Sequence, residues 1–411
     1  MFEIKGKINT AVVYAESVED SAVEQIRRMC DYPLTEGSRI RIMPDVHSGK
    51  GCTIGTTMTV TDKVCPNIVG VDIGCGMYAV RLAEKALDLQ KIDAAAHFIP
   101  SGMNVWEGRK ERFDLTSLKC YRSLKDARRL ERSLGTLGGG NHFIEVDVSS
   151  DGTFWLVIHS GSRNLGKQVA EIYQSLAVDL HSGKADYFER HDELIRTYKE
   201  QGRKGEIESA LKALKKEYDK KTPDVPEDLC WLYGRFLDDY LSDVTVCQAF
   251  ARRSREKMAE IILGMTGLTP VEAFHTVHNY IDTDEMILRK GSIAAHAGEK
   301  VLIPINMRDG SVLAVGSGNP EWNFSAPHGA GRVMSRSKAR ETLDLEEYKA
   351  AMDGIYTTSV CMDTIDEAPM AYKSLDEIIG AIRDSVDVID VMKPVYNFKA
   401  ADGELPWKKN K

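Results

Sequence analysis

Val69-Gly-Val-Asp72-Ile-Gly-Cys75-Gly-Met77-Tyr-Ala-Val-Arg-Leu82 places two apolar, β-branched runs on either side of a glycine-punctuated turn. Ile68 to Ile73 and Met77 to Leu82 read as strands, since Ile and Val favour the pleated surface and glycines end it. Working outward, Arg39 to Met43 and Thr53 to Val60 have the same character. Ahead of them, Ser21 with Glu24 predicts a helix cap, with Ala22, Val23, Ile26 and Met29 on one face. Further along, His142 to Val148 and Phe154 to Ser160 form a second β-rich stretch. Residues 164–265 are long, charged and helical in pattern, interrupted over Lys221 to Glu227 by Pro223 and Pro226. Strand signals return at Met286 to Arg289, Val301 to Ile305 and Ser311 to Val315, and 335–392 reads as largely helical. The expected fold is α+β, with mixed sheets flanked by helices. It is read as one catalytic domain over 1–411, carrying a helical insertion at 164–265.

A chain of 411 residues that is 43% hydrophobic has ample material for a core. Its net charge of −8 argues against coating nucleic acid through bulk positive charge, while leaving room for a local basic channel. The eight cysteines form no CxxC pair, which points to reduced thiols and a cytoplasmic location. No apolar run approaches the ~20 residues that span a bilayer, and MFEIKGKINT has no signal-peptide core, so no membrane partner is expected.

The chemistry concentrates in a few strings. Asp72 and Cys75 stand three residues apart between glycines that let backbone approach a ligand, and a thiolate can bridge two ions. Gly138-Gly-Gly-Asn141-His142 precedes a strand that carries Glu145, His159 ends the run Phe-Trp-Leu-Val-Ile-His, and His278 sits in Thr-Val-His-Asn-Tyr. Imidazole and thiolate together suit a metal site. Gly161-Ser-Arg-Asn-Leu-Gly166-Lys167 imitates a phosphate-binding loop, but Gln168 stands where such a loop needs a hydroxyl for Mg²⁺. The fullest signal is Pro327-His328-Gly329-Ala330-Gly331-Arg332, followed by Arg336, Lys338 and Arg340 before any acid. An imidazole among small residues, facing cations, can serve as acid, base or nucleophile toward a phosphate.

These residues resemble the RtcB-type RNA ligases, over Met43 to Lys399. The matching strings are PDVHSGKGCTIG from Pro44, VGVDIGCG from Val69, GTLGGGNHFIEV from Gly135 and HSGSRNLG from His159. VHN from Val277, RKG from Arg289, PHGAGRVMSR from Pro327, EAPMAYK from Glu367 and KP-x-x-x-FK from Lys393 follow in the same order. The resemblance implies a GTP- and manganese-dependent enzyme. It would join RNA ends bearing a 3′-phosphate or 2′,3′-cyclic phosphate to 5′-hydroxyl ends, in RNA repair or tRNA splicing. His328 would carry GMP covalently. Cys75, His142 and His159 would hold one Mn²⁺, and Asp72, Cys75 and His278 the other. Asn141, Glu145, Ser311, His328 to Gly331, Tyr372 and Lys399 would meet the guanosine nucleotide, and Arg163, Lys290, Arg332 and Arg336 the phosphates. An archease-like activator is a further partner that the resemblance raises.

The chain also departs from that pattern. Ile305-Asn306-Met307-Arg308 replaces a Gly-Ser-Met-Gly loop, so Asn306 would take over the serine's hydrogen bond while Arg308 brings charge beside the nucleotide. Ser254-Arg255 stands where Asn-Arg is common, and residues ending in PWKKNK follow Lys399. Such differences suggest a divergent bacterial-type branch. Two readings compete with the ligase: a metal-dependent cyclic phosphodiesterase that uses no nucleotide, and a non-catalytic RNA-binding protein.

Overall fold

The computed structural model describes residues 1–218 and 222–400 and has a mixed α+β fold. One sheet runs in the order β1 (Phe2–Lys5), β2 (Thr10–Val13), β3 (Ile40–His47), β4 (Ile54–Thr59), β12 (Ile287–Lys290), β11 (Asn279–Asp282). The larger sheet follows the path β10 (Pro270–Val277), β6 (Gly76–Leu82), β8 (Phe154–Ser160), β7 (Phe143–Val148), β18 (Val386–Lys399), β15 (Gly310–Gly316), β14 (Lys300–Asn306). Short pairs complete the pattern: β5 (Lys63–Val64) with β9 (Leu232–Tyr233), β13 (Ser292–Ala294) with β16 (Ser325–Pro327), and β17 (Tyr356–Thr357) alongside β18.

Helices α1 (Asp20–Cys30), α2 (Pro66–Val69), α3 (Leu89–Phe98) and α4 (Ala127–Arg132) lie among the early strands. Between β8 and β10 come α5 (Arg163–Asp179), α6 (Ala185–Glu200), α7 (Ile207–Lys216) and α8 (Gly234–Thr266). Leu237, Tyr240, Val244, Cys247, Ala251, Met258 and Ile262 recur at helical spacing and bury one face of α8. Thr222 to Pro226 carry no helix, and Lys221 and the PWKKNK segment lie outside the described residues. No helix among the described residues is long and apolar enough to cross a membrane.

Three expectations are corrected. Ile68 to Ile73 is not a strand: Pro66 starts the one-turn helix α2, and Gly70 and Gly74, at φ +98° and +79°, break any extended run. The apolar residues there are core, with Ile68, Val69 and Ile73 fully buried. Ser21 does not cap α1, which starts after Glu19; its hydroxyl meets that of Ser48 at 2.7 Å, while the Glu19 carboxylate accepts from the Ser48 N–H. Finally, 335–392 holds only short helices, α9 (Arg336–Thr342), α10 (Leu345–Ala351) and α11 (Leu375–Ala381), before the long strand β18. Val386, Val388 and Val391 pair with β15, and Pro394 sits at an irregularity of the ladder with β7, where its missing N–H does no harm.

Candidate active site

Four strands deliver the expected metal ligands to one end of the larger sheet. Met77 and Phe143 both stand opposite His159, so Cys75 and His142, just outside their strands, arrive beside it. The His278 N–H donates to the Cys75 carbonyl at 2.9 Å, which brings in the fourth. Cys75 Sγ lies 3.3 Å from His159 Nε2 and 3.5 Å from His142 Nε2. His142 Nε2 is 3.1 Å from an Asp72 oxygen, and the Nε2 atoms of His159 and His278 are 3.4 Å apart. Gly161 is required here, because a Cβ on it would come within 2.1 Å of the Asp72 carboxylate.

The ring orientations are fixed from behind. His142 Nδ1 donates to the Leu137 carbonyl at 2.9 Å and His159 Nδ1 to the Asn141 carbonyl at 3.1 Å, so both Nε2 lone pairs face inward. Burial, reinforced by neighbouring imidazoles, pushes His159 well below the usual histidine range; burial and the His328 ring do the same to His278. Burial and the Asp72 charge push the Cys75 thiol up. Converging imidazoles, a sulfur and a carboxylate, each 3.1–3.5 Å from the next, make a donor set suited to divalent metal ions. Arg255 braces them, donating from the interior to the carbonyls of Gly74 and Ser160 at 2.8 and 2.7 Å.

His328 follows β16 and turns its ring toward this cluster, 4.9 Å from the His278 ring centre. Its backbone N–H and its Nδ1 both donate to one oxygen of Asp45, at 3.1 and 2.7 Å. The Asp45 side chain is fully buried. Nδ1 thus carries the proton, leaving the Nε2 lone pair unclaimed. Sequence reasoning passed over Asp45. Its signal was an acid inside the apolar run Ile-Arg-Ile-Met-Pro-Asp-Val-His, since a buried carboxylate needs a partner.

His328, His159 and His278 line one end of a cavity of about 200 Å³. Asn141, Glu145, Asn306, Gly329, Ala330, Gly331, Arg332, Arg336, Tyr372 and Lys399 line the rest. Two further residues belong with them. Glu367 accepts from Lys399 Nζ at 2.6 Å and from the Tyr372 hydroxyl at 2.8 Å, and pairs with Arg332 and Arg336. Burial works to raise its carboxyl, but Lys399 and Arg336 outweigh that and hold it at about 2. Asn397 donates its amide to Glu145 and leaves its carbonyl oxygen without a partner among the described residues. Burial raises Glu145 to about 7.

Ser311, Arg163 and Lys290 stand apart from the cavity, and Asn306, though it lines the cavity, is spent within its own loop. Ser311 is buried in β15 with its hydroxyl unpartnered among the described residues. Arg163 lies behind the candidate ligands, donating to Thr136 Oγ1 at 3.1 Å and to the Gly102 carbonyl at 2.6 Å. Lys290 is buried, its ammonium shared among the carbonyls of Lys50, Cys52 and Asn67, a position that joins backbone segments and offers nothing to a phosphate. Asn306 is turned to its own loop: its oxygen accepts from the N–H groups of Arg308 and Asp309, and its amide donates to Asp309. Arg308 forks onto Asp309 at 2.9 and 3.0 Å, which removes the extra charge expected beside the nucleotide.

Comparison with known proteins agrees with this geometry. A family model described as tRNA-splicing ligase RtcB matches residues 25–119 and 110–400. The RNA-splicing ligase RtcB of Escherichia coli (strain K12) is 30% identical, covering 93% of this chain and 95% of the relative. The tRNA-splicing ligase RtcB of Aeropyrum pernix is 26% identical over 90% of each chain. The RNA-splicing ligase RtcB of Mycobacterium tuberculosis is 27% identical over 84% of this chain and 92% of its own. With the family model matching nearly the whole chain and a relative 30% identical over 93% of it, the chain belongs to the RtcB family.

Proposed function

We propose that this chain is a cytoplasmic RNA ligase, acting as one catalytic domain, that uses GTP and Mn²⁺ to join 3′-phosphate or 2′,3′-cyclic phosphate ends to 5′-hydroxyl ends. The observation that carries the reading is the His328 ring. Asp45 pins it by Nδ1, and it stands beside the cluster of Cys75, His142, His159 and His278 with Nε2 free.

The steps follow from that tautomer. His328 Nε2 attacks the α-phosphorus of GTP, an N–P bond forms, and the bond to pyrophosphate breaks. The ring becomes cationic, and the Asp45 carboxylate stabilises it through the Nδ1 proton, as a carboxylate does for a catalytic imidazole. An oxygen of the RNA 3′-phosphate then displaces Nε2 from the guanylyl phosphorus. The 5′-hydroxyl attacks the activated RNA phosphorus, GMP leaves, and a 3′,5′-phosphodiester results. A cyclic phosphate is first opened by water to the 3′-phosphate. Asp72, Cys75, His142, His159 and His278 would hold two Mn²⁺, which when bound neutralise phosphoryl oxygens and favour in-line geometry.

Base choice falls to the far end of the cavity. Above pH 7 the Glu145 carboxylate and the free Asn397 carbonyl are both acceptors, matching the N–H and amino donors on one edge of guanine. Adenine presents an acceptor at the corresponding ring nitrogen and is disfavoured. Lys399 supplies a cation to the carbonyl edge.

Mass spectrometry after incubation with GTP and Mn²⁺ tests the reading. The expected result is a gain of one GMP, absent in His328→Ala. No adduct, with opening of a cyclic phosphate still observed, would replace the ligase with a phosphodiesterase. No adduct and no turnover, with RNA still retained, would leave an RNA-binding protein.

A further inference from the structure

Residues 107–132 carry nine Lys and Arg against five Asp and Glu, in a chain whose net charge is −8. Most of those acids are engaged. Glu111 is held by Arg253 and Lys257 at 2.6 and 2.8 Å, and Glu131 by Arg109 at 3.3 Å. Asp114 and Asp126 accept the N–H groups of Thr116 and Arg129 as helix caps. By contrast, Arg112, Lys119, Arg122, Lys125 and Arg128 are exposed and have no ion-pair partner among the described residues. These five are cations that the fold itself does not use.

They connect to the metal end through a continuous set of contacts. The Gln168 side chain bonds both the N–H and the carbonyl of Lys125, at 2.7 and 3.1 Å, seating α4 against the start of α5. Arg129 donates to the Met103 carbonyl, and Arg163, first residue of α5, to the neighbouring Gly102 carbonyl. The Gly102 N–H donates to the Gly138 carbonyl at 2.8 Å, and Gly138 leads directly into His142. At the N-terminus of α5, the Ser162 N–H reaches Asp72 at 3.0 Å. The partly buried Arg163 and the neighbouring Arg129 thus join the candidate ligands to the exposed Lys125 and Arg128. An aromatic step borders it: Phe98 is 51% exposed, its ring 5.4 Å from that of Trp106, with Lys110 Nζ 4.2 Å over the latter. Unpaired cations interleaved with an exposed aromatic ring suit a single-stranded nucleic acid, whose phosphates follow the charge and whose bases stack.

We propose that the face built by α4 and the loops at 98–112 and 119–126 is the track on which a single-stranded RNA end lies as it approaches the metal centre. This rests on the RNA-ligase reading for the identity of the strand, and assigns it a surface.

The experiment uses the full chain with Arg122→Glu, Lys125→Glu and Arg128→Glu together, and a fluorescent single-stranded RNA ending in a 3′-phosphate. Affinity is expected to fall by about tenfold or more, and the slope of log affinity against log salt to flatten by about 2, near 0.7 per lost phosphate contact. GMP transfer to His328, which needs no RNA, is expected at the unaltered rate and shows that the variant is folded. Arg196→Glu, Lys199→Glu and Lys204→Glu, exposed on and after α6, make the same charge change elsewhere and are expected to leave RNA affinity within about twofold. Unchanged affinity and slope in the first variant would overturn the track, as would an equal loss in the second. RNA binding that depends on this face, in a protein forming no GMP adduct, would support the track while refuting the proposed function.

Discussion

The two ends of the cavity solve opposite electrostatic problems. At the proposed metal end, a sulfur, a carboxylate and imidazole nitrogens converge within 3.1–3.5 Å, with His142 and His159 pinned from behind to backbone carbonyls. At the nucleotide end, unlike charges are already matched, since Glu367 gathers Lys399, Tyr372, Arg332 and Arg336, and Asp366 takes Arg336 at 2.7 Å and Arg340 at 3.1 Å. One end gathers donor atoms suited to a cation, while the charged groups around Glu367 and Asp366 at the other already neutralise one another. Metal loading should therefore be all-or-none in its effect on chemistry, and changes at the paired end should act by degrees.

The sharpest way to break that contrast is Cys75→Ala. No other single side chain serves both proposed ions, so elemental analysis should find the metal pair lost and ligation down by about a thousandfold or more. Two ions retained per chain would refute the bridge. Next comes Asp45→Asn, whose amide oxygen can still accept from the His328 N–H and Nδ1 but brings no charge to stabilise the imidazolium. GMP transfer should slow about 10²- to 10⁴-fold in single-turnover assays, with metal content unchanged. Loss of metal instead would place Asp45 in the ligand cluster.

At the paired end, Glu367→Gln strands buried cations and should cost about 3–5 kcal/mol in chemical denaturation. The sign with pH follows from a carboxyl lowered to about 2 from 4.5: its stabilisation is present above pH 4.5 and lost as pH falls toward 2. The difference between parent and variant should shrink over that window. Glu145 is the reverse case. Raised to about 7, it opposes folding as it ionises from 4.5 upward, so Glu145→Gln should melt higher than the parent at pH 8 while binding GTP about 10- to 100-fold more weakly. For the parent, GTP affinity should decline as pH drops through 7. Smallest of all, Arg308→Ala should change GTP use by less than about threefold, since its guanidinium is already matched by Asp309 at the surface.

How much of this was legible beforehand follows the same division. Asp72, Cys75 and His142 stood in glycine-rich strings, while His159 and His278 stood in runs that marked them only in company, and all five candidate ligands come together. Asp45 and Glu367 did not stand out, because each acquires its role only from a partner hundreds or tens of residues away, as with Asp45 and His328. The error at Ile68 to Ile73 came from taking β-branched residues as a strand when burial alone explains them and Pro66 sets a helical turn. Missing β18 came from letting the short helices at 336–381 extend too far, although Val386, Val388 and Val391 carried the strand signal. Lys290 shows the limit of matching strings, since a motif fixes a residue's identity but not which way its ammonium is spent.

Strand β18 sits in the middle of its sheet, between β7 and β15, although the ribosome makes it after both. A nascent or truncated chain that stops short of it has a sheet with its centre missing, and lacks both Asn397 and Lys399. Under the proposed function, such a fragment would be unable to close the far end of the cavity around a nucleotide, and an interrupted translation product would not charge itself with GMP. Completion of synthesis and acquisition of reactivity would then be tied to one late, long-range folding event.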